Sequence, residues 1–240
     1  MKLGVLQPLL KINERTTHIY LSSLFVLLLY FLGSVNAITV IFSYFLETIV
    51  IGVINVFKIL LSRKKDEKEL NGKFFLAAFF TVHYGMFVAI QSMFAFTYLE
   101  ISDPNWTSSG FELVDNYARV LAMDNIGWIL GTIILNNLWV FYKNYLQNGR
   151  YLEVSGLELM FAPYVRIFVQ QFVVILSGFF ISFGAQHAAV VLLIGLRTFI
   201  DVMIVEIRDG TPFMEYLVKK NNTNKISDEE FRKYVKNLSE

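Results

Sequence analysis

The sequence predicts an all-α integral membrane protein, a six-transmembrane-helix bundle with both termini in the cytoplasm. Three observations lead there. Of 240 residues, 55% are hydrophobic and 17% charged, and the mean hydropathy is +0.51, whereas an average soluble domain carries about 25% charged residues. The apolar residues gather into six long runs, each matching the ~20 helical residues that cross a ~30 Å hydrocarbon core. Lysine and arginine alternate between the two sides that these runs define, and such residues collect on the cytoplasmic side.

The elements follow in chain order. Span 1 covers about 17–33. Its basic start and Val35-Asn36-Ala37 imitate a signal peptide and cleavage site, but the long leader and the second apolar run at once behind it predict a retained helix. Gly33-Ser-Val-Asn36 forms a turn, because spans 1 and 2 together are too long for one crossing. Spans 2 and 3 cover about 36–61 and 74–98, separated by the basic run from Arg63 to Lys68. That run is a topology signal that also suits anionic lipid. An acidic outer segment from Glu100 to Tyr117 lays Phe111, Leu113, Val114 and Tyr117 on the membrane surface. Spans 4, 5 and 6 cover about 118–142, 161–183 and 187–208, the last two joined by Gly184-Ala-Gln-His187. Residues 1–210 thus form a transmembrane domain, and 211–240 a soluble cytoplasmic tail. In the tail, Ser227-Asp-Glu-Glu230 has the form of a capping box, followed by an apolar stripe of Phe231, Tyr234, Val235 and Leu238.

The orientation rests on Lys2, Lys11 and Arg15 before span 1, Arg63, Lys64, Lys65, Lys68 and Lys73 after span 2, Lys143 and Arg150 after span 4, and Lys219, Lys220, Lys225, Arg232, Lys233 and Lys236 in the tail. The opposite side offers only Arg119. Placement in a cell inner membrane or plasma membrane follows.

Composition also excludes. Lys+Arg is 21 and Asp+Glu 20, a net of +1, which does not suit nucleic acid. Absence of cysteine removes disulfides, thiol catalysis and cysteine metal centres. His18, His83 and His187 are too few for a histidine zinc site, so no metal and no cofactor is expected. There is no G-x-S-x-G, Walker A, H-E-x-x-H or EF-hand motif. The sequence discloses no reaction.

It does disclose ionisable residues inside the membrane. Glu47, Arg166, Arg197 and Asp201 stand near mid-span, where each unpaired charge costs about 2.5–3.5 kcal/mol on insertion scales. Helical spacing groups them with other polar residues. Glu47, Asn55 and Lys58 share one face of span 2, and His83 and Gln91 one face of span 3. Arg166 and Gln170, with Gln171 beside them, share a face of span 5, and Arg197 and Asp201 a face of span 6. Four polar stripes that avoid lipid are expected to converge on a common interior, in the middle and cytoplasmic half of the bundle.

These residues resemble the motifs of a family of small prokaryotic multi-pass membrane proteins of unknown function. The pattern is E-x7-N-x2-K in Glu47…Asn55…Lys58, HYG in His83-Tyr84-Gly85, PYxRI in Pro163-Tyr164-Val165-Arg166-Ile167, and [KR]-T-x2-D in Arg197-Thr198-Phe-Ile-Asp201. It covers spans 2 to 6. The resemblance implies histidines in the family at the positions of Gln91 and Gln171 and often Lys at Arg197. Glutamine is a poor ligand for a metal or haem. No activity is implied.

Three functions compete. The leading expectation is a binding or transport protein for a small solute, an anion or a proton, with the ten polar residues as its site. The second is a structural or accessory subunit, with a sealed ion-pair network. The third is a membrane enzyme acting on a lipid head group, for which no nucleophile is evident. The bilayer is the one certain partner; a second copy or a membrane partner protein is an open alternative.

Overall fold

A computed structural model describes residues 13, 16–64, 72–107, 109–207, 211–220 and 227–238. Every regular element among them is helical. The α-helices are α1 (Thr17–Phe31), α2 (Ala37–Leu61), α3 (Gly72–Ser102), α4 (Leu113–Leu121), α5 (Ile126–Val140), α6 (Gly156–Ser182), α7 (Gln186–Glu206), α8 (Pro212–Lys220) and α9 (Asp228–Leu238). Most of the basic run, Lys65 to Lys68, lies outside the described residues, as do Tyr234 among the side chains and Lys2, Lys11 and Arg15.

Among the described residues, three helices are long and apolar enough to cross a membrane: Ala37–Leu61, Gly72–Ile101 and His187–Glu206. A fourth crossing is available if Leu113–Leu121 and Ile126–Gln147 count together, although they are bent by 96°. This is the build of a membrane protein. The bend differs from the continuous span expected over 118–142. The chain breaks at Asp124-Asn125, where Asn125 adopts left-handed φ of 66°, a conformation that asparagine tolerates better than most residues. Beyond the break α5 continues as a π-helical stretch, Phe141–Gln147. α4 is then a short amphipathic helix, with Asn116 and Val120 buried and Val114 and Leu121 exposed.

Both predicted turns end a helix with glycine in the left-handed region, Gly33 at φ 72° and Gly184 at φ 73°. Asn36 then caps α2, its side chain accepting the Thr39 backbone N–H at 2.8 Å. Although α1 is joined to α2 by this tight turn, it leans mainly on α7. Tyr30 meets His187 at 2.7 Å, and the Thr198 hydroxyl donates to Ser23 at 2.6 Å.

The packing is two triangles sharing an edge. α2, α3 and α6 pack mutually, and so do α2, α6 and α7. Gly52 permits the α2–α3 approach, because a Cβ there would stand 2.4 Å from the Tyr84 ring. Around the Ala37 end of α2, Phe42 and Phe96 stack at 4.5 Å and Trp106 stacks on both, which ties the 103–107 loop to the core. At the other end, Ile59, Phe80, Leu159 and Met160 form a second core. Beneath α7, Phe231 and Val235 of α9 pack on a third cluster that includes Val202, Met214 and Val218. The tail thus holds two helices. The Ser227–Glu230 capping box forms, with the Glu230 N–H donating to the Ser227 hydroxyl at 3.2 Å and the Ser227 N–H donating to the Glu230 carboxylate at 3.1 Å.

Candidate functional site

The polar residues singled out by spacing do not meet at one point. The two triangles sort them. Glu47 and Arg197 lie near the middle of α2 and α7, and the gap between these helices holds an ion triad. The Arg197 Nη2 donates to Glu47 Oε2 at 2.6 Å, and Nε donates to Asp201 Oδ2 at 3.3 Å. Tyr44, one turn before Glu47, presents its ring to the guanidinium at 4.2 Å, a cation–π contact. The fork of the guanidinium suits this role, since its separate N–H groups address two acceptors at once.

Two features of the triad carry chemical weight. It brings two carboxylates, Glu47 and Asp201, onto one guanidinium. It is also incompletely covered: the Glu47 side chain keeps 12% of its exposure, Asp201 24% and Arg197 34%.

The second group sits between α2, α3 and α6 and is made of neutral hydrogen bonds. Asn55, 3% exposed, donates from Nδ2 to the Leu159 carbonyl at 3.0 Å. That acceptor has a reason to need a donor. Residue 163, four positions on in α6, is proline, which has no N–H to close the helical bond. Asn55 supplies the missing donor from the neighbouring helix. Gln91, 1% exposed, donates to the Ile167 carbonyl at 2.7 Å, and its Oε1 has no hydrogen-bond partner among the described residues. His83 Nδ1 meets the Tyr164 hydroxyl at 2.7 Å, with the ring stacked on Phe79 at 5.2 Å. Tyr84 donates to the Thr48 carbonyl at 2.9 Å. These are the polar contacts by which helices associate in lipid.

Lys58 holds its Nζ 5.8 Å from the Tyr145 ring centroid, and Tyr145 donates to the Lys58 carbonyl at 2.6 Å. Gln171 is half-buried on α6. The side chains of Arg166 and Gln170 lie outside the described residues. At the Leu61 end of α2, Lys64 pairs with Glu158 at 3.1 Å. Burial raises the Glu158 carboxyl, but the Ser155 N–H and the Lys64 ammonium outweigh it and hold it below the ordinary value. Among the described residues no group of His, Cys, Asp and Glu is placed to hold a metal ion.

Sequence reasoning missed several partners. Tyr44, three residues before Glu47, shares its face and could have been found by spacing. Tyr164 and the Leu159 carbonyl could not, since an acceptor freed by proline becomes a site only once a neighbouring helix is known.

The profile of a family of unknown function, DUF6498, matches residues 7–223. The chain belongs to the DUF6498 family. No curated protein and no solved structure matches it. In this DUF6498 chain the matched segment contains both the triad and the α2–α3–α6 hydrogen bonds.

Proposed function

We propose that this chain is a six-span membrane protein with both termini cytoplasmic, and that its α2–α7 triad is a proton-binding site of a proton-coupled small-solute carrier. The spans are α1, α2, α3, α5, α6 and α7, with α4 lying at the outer surface. The distribution of Lys and Arg supports the orientation, since every basic residue outside the spans but Arg119 then falls in a cytoplasmic segment.

The observation that carries the proton reading is the placing of two ionisable carboxyl groups, Glu47 and Asp201, on one guanidinium midway along apolar helices. A carboxyl group so placed is the kind of side chain that takes up and releases a proton inside a membrane. An anionic solute is the weaker cargo, because Arg197 already holds two carboxylates. Partial exposure gives the proton a way in.

A sealed structural network is the second reading, favoured by Asn55 and Gln91, which both serve α6 carbonyls rather than a cavity. Thermal unfolding in detergent from about pH 5 to about pH 9 separates the two, because stability follows pH only where folded and unfolded states bind different numbers of protons. A transition in wild type that Glu47→Gln abolishes supports the proton site. A profile that is the same in both proteins refutes it. Cysteine at Ile51, one turn from Glu47, is then expected to react with a water-soluble reagent from the cytoplasmic side; failure of labelling in a well-folded variant favours the sealed network.

A further inference from the structure

We infer that two copies of this chain associate through α5, with Asn136 of one copy hydrogen-bonded to Asn136 of the other near mid-membrane. α5 packs on α2 along one side and is otherwise exposed: of Ile126–Val140 only Ile126 is buried. Exposed apolar residues on such a helix need no explanation, since lipid covers them. Asn136 does need one. It is exposed, and among the described residues its amide has no hydrogen-bond partner. The apolar helix runs from Ile126 to Gln147, about 33 Å at 1.5 Å per residue, and Asn136 lies about 15 Å along it. Its neighbours show how polar groups on this helix are otherwise satisfied. Asn137 donates to the Ile133 carbonyl at 2.9 Å, and Thr132 donates to the Ile129 carbonyl at 2.7 Å.

The amide itself selects the occupant. It carries a donor and an acceptor, so two copies across a two-fold axis close both bonds with one residue type. Copies inserted in the same orientation place Asn136 at the same depth without adjustment, which another membrane protein would have to match. Thr132, Asn136 and Trp139 lie on one side of the helix, separated by four and three residues. Thr132 is small enough for close approach. The same pairing brings two Lys143 side chains near the axis, but they are exposed at the water boundary and long enough to splay apart.

The chain has no cysteine, so a single introduced thiol reports unambiguously. The full chain with Thr132→Cys, purified and reconstituted into lipid vesicles, is oxidised across a series of protein-to-lipid ratios. Val53→Cys, on an exposed position of α2, is the control. The expected result is a covalent dimer from Thr132→Cys and none above collision level from Val53→Cys. Adding Asn136→Leu should weaken association about tenfold, the order expected for an interhelical polar contact in lipid. Asn136→Gln, which keeps the amide, should largely restore it. Equal cross-linking of the two thiols, or cross-linking indifferent to Asn136→Leu, would overturn the inference. Diluted in detergent until both proteins are monomeric, Asn136→Leu should melt at or above wild type, because association no longer contributes; a lowered melting point of the monomer would mean that the amide has an intrachain partner, which would also overturn the inference. The proton reading of the triad is unaffected by either outcome.

Discussion

Replacing Asn55 by leucine removes the donor that Asn55 extends to the Leu159 carbonyl. Leucine keeps the branching and the number of heavy atoms, and the cost of its larger volume is common to the wild-type and Pro163→Ala backgrounds. Interhelical side-chain bonds in membranes average only about 0.6 kcal/mol and reach about 1.7 kcal/mol, because most can be replaced locally. This one is expected near or above the upper end. Pro163 leaves Leu159 without its helical donor, and a buried acceptor left unsatisfied costs about 1–3 kcal/mol. Asn55→Leu alone should therefore cost about 2 kcal/mol by that scale. In a Pro163→Ala background, residue 163 regains an N–H aimed at Leu159, and the same substitution should cost less than about 1 kcal/mol, the ordinary interhelical bond alone. Equilibrium unfolding of the four proteins in mixed micelles gives the coupling directly, and the effect of Pro163→Ala by itself cancels in the cycle. Additivity within about 0.5 kcal/mol would show that the carbonyl was not short of a donor.

Three further outcomes follow from the same packing. Gln91→Leu should cost less than Asn55→Leu and stay under about 1 kcal/mol, because it removes an orphaned buried Oε1 together with its bond and because position 171 has an N–H for the Ile167 carbonyl; a larger loss in the same unfolding assay would refute this. Gly52→Ala drives a Cβ into the Tyr84 ring and should cost about 1–3 kcal/mol, a cost that a Tyr84→Leu background should largely relieve. Glu158 has a folded-state carboxyl held below its ordinary value of 4.5. Its contribution is therefore complete above that pH and is lost as pH falls through the folded value. Acid unfolding should show it as up to about 1 kcal/mol, absent in Glu158→Gln; a loss that appeared above neutral pH would have the wrong sign.

Helical periodicity, hydropathy and turn chemistry carried most of the fold. Gly33-Ser-Val-Asn36 and Gly184 could be read because a left-handed glycine ending a helix is a local signal, joined in the first turn by Asn36 capping the next helix. The bend before α5 was written in the same chemistry at Asp124-Asn125, but the apolar residues on both sides masked it as one span. The capping box at Ser155…Glu158, with the Ser155 N–H donating to the carboxylate at 2.8 Å, had the same form as the one at Ser227 and was equally available. For the site, spacing within one helix placed Arg197 beside Asp201, and the need to neutralise charge pointed to Glu47. Spacing could not say which helices touch. It merged Asn55, Gln91 and His83 with the triad, whereas the shared α2–α6 edge assigns them to the other triangle. The ammonium of Lys58 meets an aromatic ring from the end of the α5 segment, a partner no spacing rule on α2 reveals.

The most direct measurement is the infrared absorption of protonated carboxyl groups in the lipid-reconstituted protein, titrated from neutral to mildly acidic pH. The proton-site account predicts a carboxyl C=O band that grows as pH falls, shifts with deuterium and is lost or displaced in Glu47→Gln or Asp201→Asn. A band unchanged by both substitutions, or none at all while the triad residues remain folded and accessible to cysteine labelling at Ile51, would contradict it.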